Sequence, residues 1–79
     1  MIRFRLKELM ADKGFNESRR VTLEEIAEAT GVHRTTLSKI ANHRGYNTTT
    51  EVLDKLCTFF RVPLSDVAEH VSDSENDPV

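Results

Sequence analysis

The chain has 79 residues, 38% of them hydrophobic and 30% charged, which suits one small domain with a core near the lower limit for independent folding. Such a domain leaves little room for an enclosed substrate cavity, and its apolar runs fall far short of the ~20 residues that a membrane span requires. Cys57 is the only cysteine, so an internal disulfide is excluded and a zinc site would lack thiolate ligands.

The formal net charge of −2 conceals an uneven distribution along the chain. Residues 1–46 contain nine Lys or Arg and six Asp or Glu (+3), whereas residues 47–79 contain two and seven (−5). A polyanion responds to a local patch, so the N-terminal part is compatible with a nucleic-acid partner. Ordinary solvated faces explain the same charges. The first residues, MIRFRLKE, lack the apolar core of a signal peptide, which predicts a cytoplasmic protein.

The first predicted element is a helix near residues 2–13. Apolar side chains repeat there at helical spacing, and Gly14 follows at the position of a C-terminal stop. The next segment, residues 15–21, is polar and has no period, which predicts a loop whose ends are anchored to the core by Phe15 and Val21.

Two short helices are predicted next, over about residues 22–30 and 33–42. Thr22 is a good N-cap, and Glu25 stands three positions later as its capping-box partner. Gly31 lies between the helices, where the chain needs a left-handed backbone to turn sharply. Two helices joined in this way form a helix-turn-helix, which presents its second helix.

The last two predicted helices follow a short loop. Thr48 and Glu51 form a second capping box, which opens a helix to about Phe60. Pro63 then starts a short helix to about His70. The pattern therefore predicts five helices and no strand.

The domain is predicted to span residues 1–71, because residues 72–79 are acidic and nearly without apolar side chains, which predicts a disordered tail. One apolar position has two interpretations. Phe59, with Val52 or Val71, forms either a dimer patch or the completion of a thin core, and the core is slightly favoured.

The third helix has a polar face whose chemistry suits the major groove of DNA. Arg34 can donate two hydrogen bonds to guanine O6 and N7, Thr35 can present its methyl group to thymine, and Lys39 can reach a guanine or a phosphate. Thr36 and the helix N-terminus are better placed for the phosphate backbone. The expected base-reading residues are Arg34, Thr35, Ser38, Lys39 and Asn42.

The segment TLEEIAEATGVHRTTLSKI resembles the Cro/C1-type (XRE family) helix-turn-helix of phage and bacterial repressors. The flanking segments RLKELMADKG and TTTEVLDKLCTFFRVPLSDVAEHV are similar to the first helix and the last two helices of that family. The resemblance covers roughly residues 2–71. It implies an all-α fold, a five-helix lambda-repressor-like DNA-binding domain.

The resemblance also implies roles for individual residues. Arg34, Thr35 and Lys39 fall at base-reading positions. Further residues are expected to touch the backbone or neighbouring bases, either on the recognition helix or in the loop that follows it: His33, Thr36, Asn42, His43 and Arg44.

Three positions depart from the family pattern. Leu23 stands where the family usually has a phosphate-binding Gln, and His33 replaces the usual Ser N-cap. Residues 16–21 resemble an insertion between the first two helices. Its basic residues, Arg19 and Arg20, either supply phosphate contacts or belong to a solvated loop.

We therefore expect a sequence-specific transcriptional regulator, with repression favoured, that binds double-stranded DNA as a homodimer on a palindromic operator in a bacterial or phage-infected cell. The alternative is an antitoxin-like or adaptor subunit that uses the same fold to bind a protein. No nucleophile, base and metal set converges, so an enzyme is the weakest interpretation. No cofactor, metal, small-molecule ligand or membrane association is expected.

Overall fold

The computed structural model describes residues 1–43 and 45–72. This part of the chain is mostly helical, which confirms the predicted fold class, and none of its helices is long and apolar enough to cross a membrane. In chain order the elements are β1 (Ile2–Phe4), α1 (Leu6–Glu17), α2 (Leu23–Thr30), α3 (Arg34–Asn42), α4 (Thr50–Phe60), α5 (Leu64–Val67) and β2 (Ala68–His70).

One hydrophobic core joins all five helices. Each helix supplies at least one side chain with little or no exposure to solvent, and the chain segments beside α2 add two more. Burial of this apolar surface is the main force that holds so small a domain together. The buried residues are Leu6, Val21, Ile26, Val32, Leu37, Ile40, Leu56 and Val67.

The helix α4 closes one side of this core. Phe59 and Val52 are half-buried and pack against the buried cluster, which supports the core interpretation of Phe59. The ring of Phe59 also meets the ring of Phe60 edge to face, with centroids 4.9 Å apart, and lies 5.2 Å from the ammonium of Lys13 on α1. The contact with Lys13 joins α4 to α1.

The strands β1 and β2 correct the prediction that the chain has no strand. They pair antiparallel, with Ile2 opposite His70 and Phe4 opposite Ala68. The first helix was therefore wrongly predicted to begin near residue 2, and the last was wrongly predicted to continue to about His70.

The physical reason is that the strands are stabilised by each other and not by local sequence. Met1 N donates to the carbonyl oxygen of Val71 at 3.0 Å across 70 positions of the chain, and three residues are too few to show an alternating pattern. The guanidinium of Arg3 also lies 3.2 Å from the carboxylate of Glu69 across the ladder.

The C-terminal end of α1 is the second correction. The helix continues through Gly14 to Glu17, and Ser18 in the left-handed conformation ends it, so residues 15–17 are helical and not a loop. A Cβ on Gly14 would lie only 2.6 Å from the carbonyl oxygen of Arg19. Gly14 therefore does not end the helix. It leaves the space in which the chain returns close to α1.

Only one of the two predicted loop anchors reaches the core. Val21 is 6% exposed and joins the buried cluster, whereas Phe15 is 86% exposed on α1. The helical register explains the difference, because the extension of α1 carries Phe15 around to its outer face.

The N-cap is confirmed at α2 and displaced by one residue at α4, whereas the side chain of Glu25, predicted as the capping-box partner, is bound to Arg19. Thr22 Oγ1 accepts a hydrogen bond from Glu25 N at 3.2 Å. At α4 the N-cap is Thr49 and not Thr48, and its Oγ1 accepts from Val52 N at 3.2 Å. Neighbouring threonines cap equally well, so the sequence does not distinguish them.

Candidate nucleic-acid interface

A three-residue turn, residues 31–33, joins α2 to α3. Gly31 has φ 78°, and its N–H donates to the carbonyl oxygen of Ala27 at 2.9 Å, which ends α2. Thr30 Oγ1 donates to the carbonyl oxygen of Ile26 at 2.6 Å and accepts from Val32 N at 3.2 Å. These bonds, together with the burial of Val32, fix the direction in which α3 leaves the turn.

The inner face of α3 is anchored in the core. Leu37 is fully buried, Ile40 is 3% exposed, and both belong to the cluster that contains Ile26 of α2. Because the apolar side chains point inward, the polar side chains lie on the opposite face. Most of the predicted contact residues of this region are exposed, and Thr36 and Ser38 are half-exposed: His33, Arg34, Thr35, Thr36, Ser38, Lys39, Asn42 and His43.

Arg34 stands at the start of α3 and is paired with an acid on α2. Its Nε lies 2.9 Å from Oε1 of Glu24. The two side chains are 61% and 69% exposed, so solvent screens this pair and it contributes little to folding. The ion pair nevertheless brings the guanidinium of α3 next to the carboxylate of α2.

Lys39 lies one turn further along α3 and approaches an aromatic ring. Its Nζ is 5.8 Å from the centroid of Tyr46, within the range of a cation–π interaction. Tyr46 is half-buried against the core. The ammonium group of Lys39 thus has a cation–π partner in the loop after α3.

Asn42 at the end of α3 folds back on its own helix. Its Nδ2 donates to the carbonyl oxygen of Ser38 at 2.9 Å and approaches Ser38 Oγ at 3.4 Å. A bidentate contact with adenine needs the amide nitrogen and oxygen together. The bond to Ser38 engages one of the two N–H donors of Nδ2, so a contact with adenine would use the other donor together with Oδ1.

The candidates for phosphate contacts lie around the ends of α3. His33 is the N-cap residue, and its exposed side chain makes no capping hydrogen bond within the described residues. His43 is exposed at the C-cap, with its N–H bonded to the carbonyl oxygen of Lys39 at 2.8 Å. Leu23 is half-buried and packs against the core, whereas Arg44 lies outside the described residues.

Arg19 is engaged within the domain. Its two terminal nitrogens lie 2.6 and 2.7 Å from the carboxylate oxygens of Glu25, and its Nε lies 2.9 Å from Glu17. Glu17 also accepts from Lys13 Nζ at 2.7 Å. The network joins the end of α1 to the start of α2. A phosphate contact by Arg19 would have to compete with these carboxylates.

The same network shifts the pKa values of its members. The hydrogen bond from Lys13, followed by that from Arg19, lowers the pKa of Glu17. The hydrogen bonds from Arg19 lower the pKa of Glu25, and both acids raise the pKa of the guanidinium. Arg20 differs from its neighbour, because it is exposed and forms no ion pair within residues 1–43 and 45–72.

Other site chemistry is sparse in this part of the chain. No group of three or more His, Cys, Asp or Glu side chains in the described ranges is arranged to hold a metal ion. Cys57 is half-buried, and desolvation, followed by the charge of Asp54, raises the pKa of its thiol. A raised pKa opposes formation of the thiolate that a nucleophile or a metal ligand needs.

Two residues of this surface were missed by the sequence reasoning. Glu24 pairs with Arg34, and its opposite charge on the preceding helix was a usable signal once the helix-turn-helix had been predicted. Tyr46 contacts Lys39 from a loop without periodicity, so no local pattern indicated it.

The comparisons with known proteins agree with this geometry. The family model of the Cro/C1-type HTH DNA-binding domain matches residues 5–73. A search of the curated proteins finds no match for the chain. The matched range contains all five helices, including α2, the turn and α3. The chain therefore belongs to the family of Cro/C1-type HTH DNA-binding domains.

Proposed function

We propose that this DNA-binding protein is a sequence-specific transcriptional regulator that places α3 in the major groove. The observation that carries the proposal is the division of α3 into two faces: Leu37 and Ile40 are buried, and the opposite face is polar and exposed. The major groove is wide enough to admit one such helix. The proposed base-reading residues are Arg34, Thr35, Ser38, Lys39 and Asn42.

We propose that residues around both ends of α3 and in the segment before α2 contact the phosphate backbone. His33 and His43 are exposed at the two ends of α3, and Arg20 is exposed in the segment before α2, so these three side chains can supply donors for this purpose. Arg19 also belongs to the proposed set, but its guanidinium would first have to leave the carboxylate of Glu25. The proposed set is His33, Thr36, His43, Arg44, Arg19 and Arg20.

The proposed active form is a homodimer on a palindromic operator, acting as a repressor in the cytoplasm of a bacterial or phage-infected cell. One domain of this size offers a small contact area, whereas two copies on half-sites about one helical turn apart double the contacts with bases. A dimer bound across a promoter blocks access to it, which is the simplest route to repression. We assign no catalytic role.

The test is selection of duplexes from a random pool by the purified full-length protein at two salt concentrations. The expected result is an enriched palindrome with a guanine in each half-site, bound with an affinity that falls as salt rises. Sedimentation of the complex should give two protein chains per duplex. Absence of any enriched sequence would overturn the proposal and favour a protein partner instead.

A further inference from the structure

The ion pair between Glu24 and Arg34 connects the two helices of the helix-turn-helix at its exposed surface. Glu24 is in the first turn of α2, and Arg34 is the first residue of α3. The 2.9 Å contact is made by Nε of the guanidinium. Arg34, at the start of the recognition helix, has no other ion pair within the described residues and is therefore drawn toward α2.

The position of Glu24 bears on which donors can face a base. A guanidinium has five N–H groups in a planar fork, and the ion-pair contact with Glu24 is made at Nε and not at a terminal nitrogen. The two terminal nitrogens form a second edge with parallel N–H donors, which matches O6 and N7 of guanine. Holding the side chain in advance reduces the rotamer freedom that it loses on binding.

The carboxylate of Glu24 also weakens binding to non-specific DNA. Glu24 is 69% exposed, so its negative charge lies on the same surface that meets the phosphates. On a site without guanine at the matching position, an unrestrained Arg34 would turn to a phosphate, which is the main source of sequence-independent affinity. A carboxylate that competes for the guanidinium weakens this alternative.

We propose that Glu24 is a specificity-determining residue, which directs Arg34 to a guanine and weakens binding to every other sequence. The inference rests on the proposed function, because it requires Arg34 to read a base. It goes further by naming an acidic residue, absent from the predicted contact set, that controls how strictly the base is read.

The experiment compares Glu24→Ala with wild type on three duplexes: the sequence selected by the wild type, the same sequence with the guanine pair replaced, and a random duplex. The preference for guanine at that one pair is expected to fall by up to about fivefold, the range that an exposed ion pair supplies, and the affinity for random DNA is expected to rise. Glu28→Ala is the matched control, because Glu28 is also an exposed acid on α2 but is not paired with Arg34. It should strengthen binding to all three duplexes by one common factor.

Two further variants separate the contributions. In an Arg34→Ala background, Glu24→Ala should leave the preference at that pair unchanged, since there is no guanidinium to direct. Glu24→Gln keeps the size and an acceptor oxygen but removes the charge, so the affinity for random DNA should rise as with alanine. Thermal melting followed by circular dichroism confirms that each variant is folded.

The failures are distinguishable from one another. If the wild type enriches a sequence but Glu24→Ala keeps the full preference for guanine, the inference is wrong and the proposed function stands. If Glu24→Ala and Glu28→Ala change binding identically, the effect is general charge and the inference is again wrong. If the wild type prefers no base at all, the proposed function fails and the inference fails with it.

Discussion

The guanidinium of Arg19 lies against both carboxylate oxygens of Glu25, with Nη1 2.6 Å from Oε1 and Nη2 2.7 Å from Oε2. Two parallel hydrogen bonds to one carboxylate give a fixed geometry as well as attraction. The contact joins the segment before α2 to the first turn of that helix. The segment between α1 and α2 is thus attached to the helix-turn-helix rather than being a free basic loop.

Removal of this contact should lower the thermal stability of the domain. Arg19→Ala leaves Glu25 and Glu17 without their shared cation, so the midpoint of thermal unfolding is expected to fall, measured by circular dichroism at about pH 7. Arg20→Ala is the matched control, because Arg20 is the adjacent exposed arginine and has no ion pair in the described part of the chain. Its midpoint should stay close to that of the wild type. Equal losses in the two variants would contradict the structural role of Arg19.

The stability supplied by this network should depend on pH in one direction. The pKa values of Glu17 and Glu25 are lowered in the folded state, so folding favours their ionised forms. Their contribution is complete at pH values above the unfolded pKa and is lost as the pH falls through the acid range. The difference in unfolding midpoint between wild type and Arg19→Ala should therefore shrink between about pH 7 and about pH 3. A difference that grew on acidification would contradict the assignment.

The close approach of the chain at Gly14 predicts that Gly14→Ala lowers the free energy of unfolding, which is opposite to the usual effect of this substitution in a helix. In an ordinary helix interior, Gly→Ala stabilises by about 1 kcal/mol. Here the added methyl would lie 2.6 Å from the backbone carbonyl oxygen of Arg19, so Gly14→Ala should destabilise by roughly 1–3 kcal/mol in urea unfolding. The exposed Asn16 of the same helix is the control, and Asn16→Ala should be neutral or stabilising. Stabilisation by Gly14→Ala would show that the chain can move away without cost.

The proposed base-reading role of Arg34 predicts a loss confined to one base pair. Arg34→Ala should cost about 1–3 kcal/mol on the selected sequence and relax the preference at that position, as measured by fluorescence anisotropy on single-substitution duplexes. Arg44→Ala, as a proposed phosphate contact, should weaken binding to all sequences similarly and reduce the salt dependence by about one counterion. Equal losses on selected and random DNA for both variants would refute the two assignments.

The C-terminal acids predict that a shorter chain binds DNA more tightly. The predicted disorder of residues 72–79 falls mostly outside the described residues, but the segment carries three acids and no Lys or Arg. Deleting it removes repulsion from the phosphates, so affinity should rise, and most at low salt. If the deletion left DNA affinity unchanged and abolished capture of a protein partner, the adaptor interpretation would gain support.

The helix-turn-helix was predictable because its signals are local. Thr22 caps α2, Gly31 adopts the left-handed turn, and the spacing of Leu37 and Ile40 identifies the buried face of α3. Each of these features depends on residues within a few positions of one another. The exposed face that follows from them was therefore also predictable.

The remaining features depend on contacts between distant parts of the chain. The strands β1 and β2 exist because residues 2–4 meet residues 68–70, and neither segment has a strand pattern of its own. The extension of α1 beyond Gly14 depends on where the chain returns, at Arg19. The partner of Arg34 depends on how α2 and α3 cross, which only the folded structure gives.

The central claim is that α3 reads guanine in the major groove, and base analogues in the selected duplex test it most directly. Replacing that guanine by 7-deazaguanine removes the N7 acceptor from the major groove, whereas inosine keeps O6 and N7 and removes only the minor-groove amino group. 7-Deazaguanine should weaken binding of the wild type but not of Arg34→Ala, and inosine should change neither. A loss with inosine, or no loss with 7-deazaguanine, would contradict the central claim.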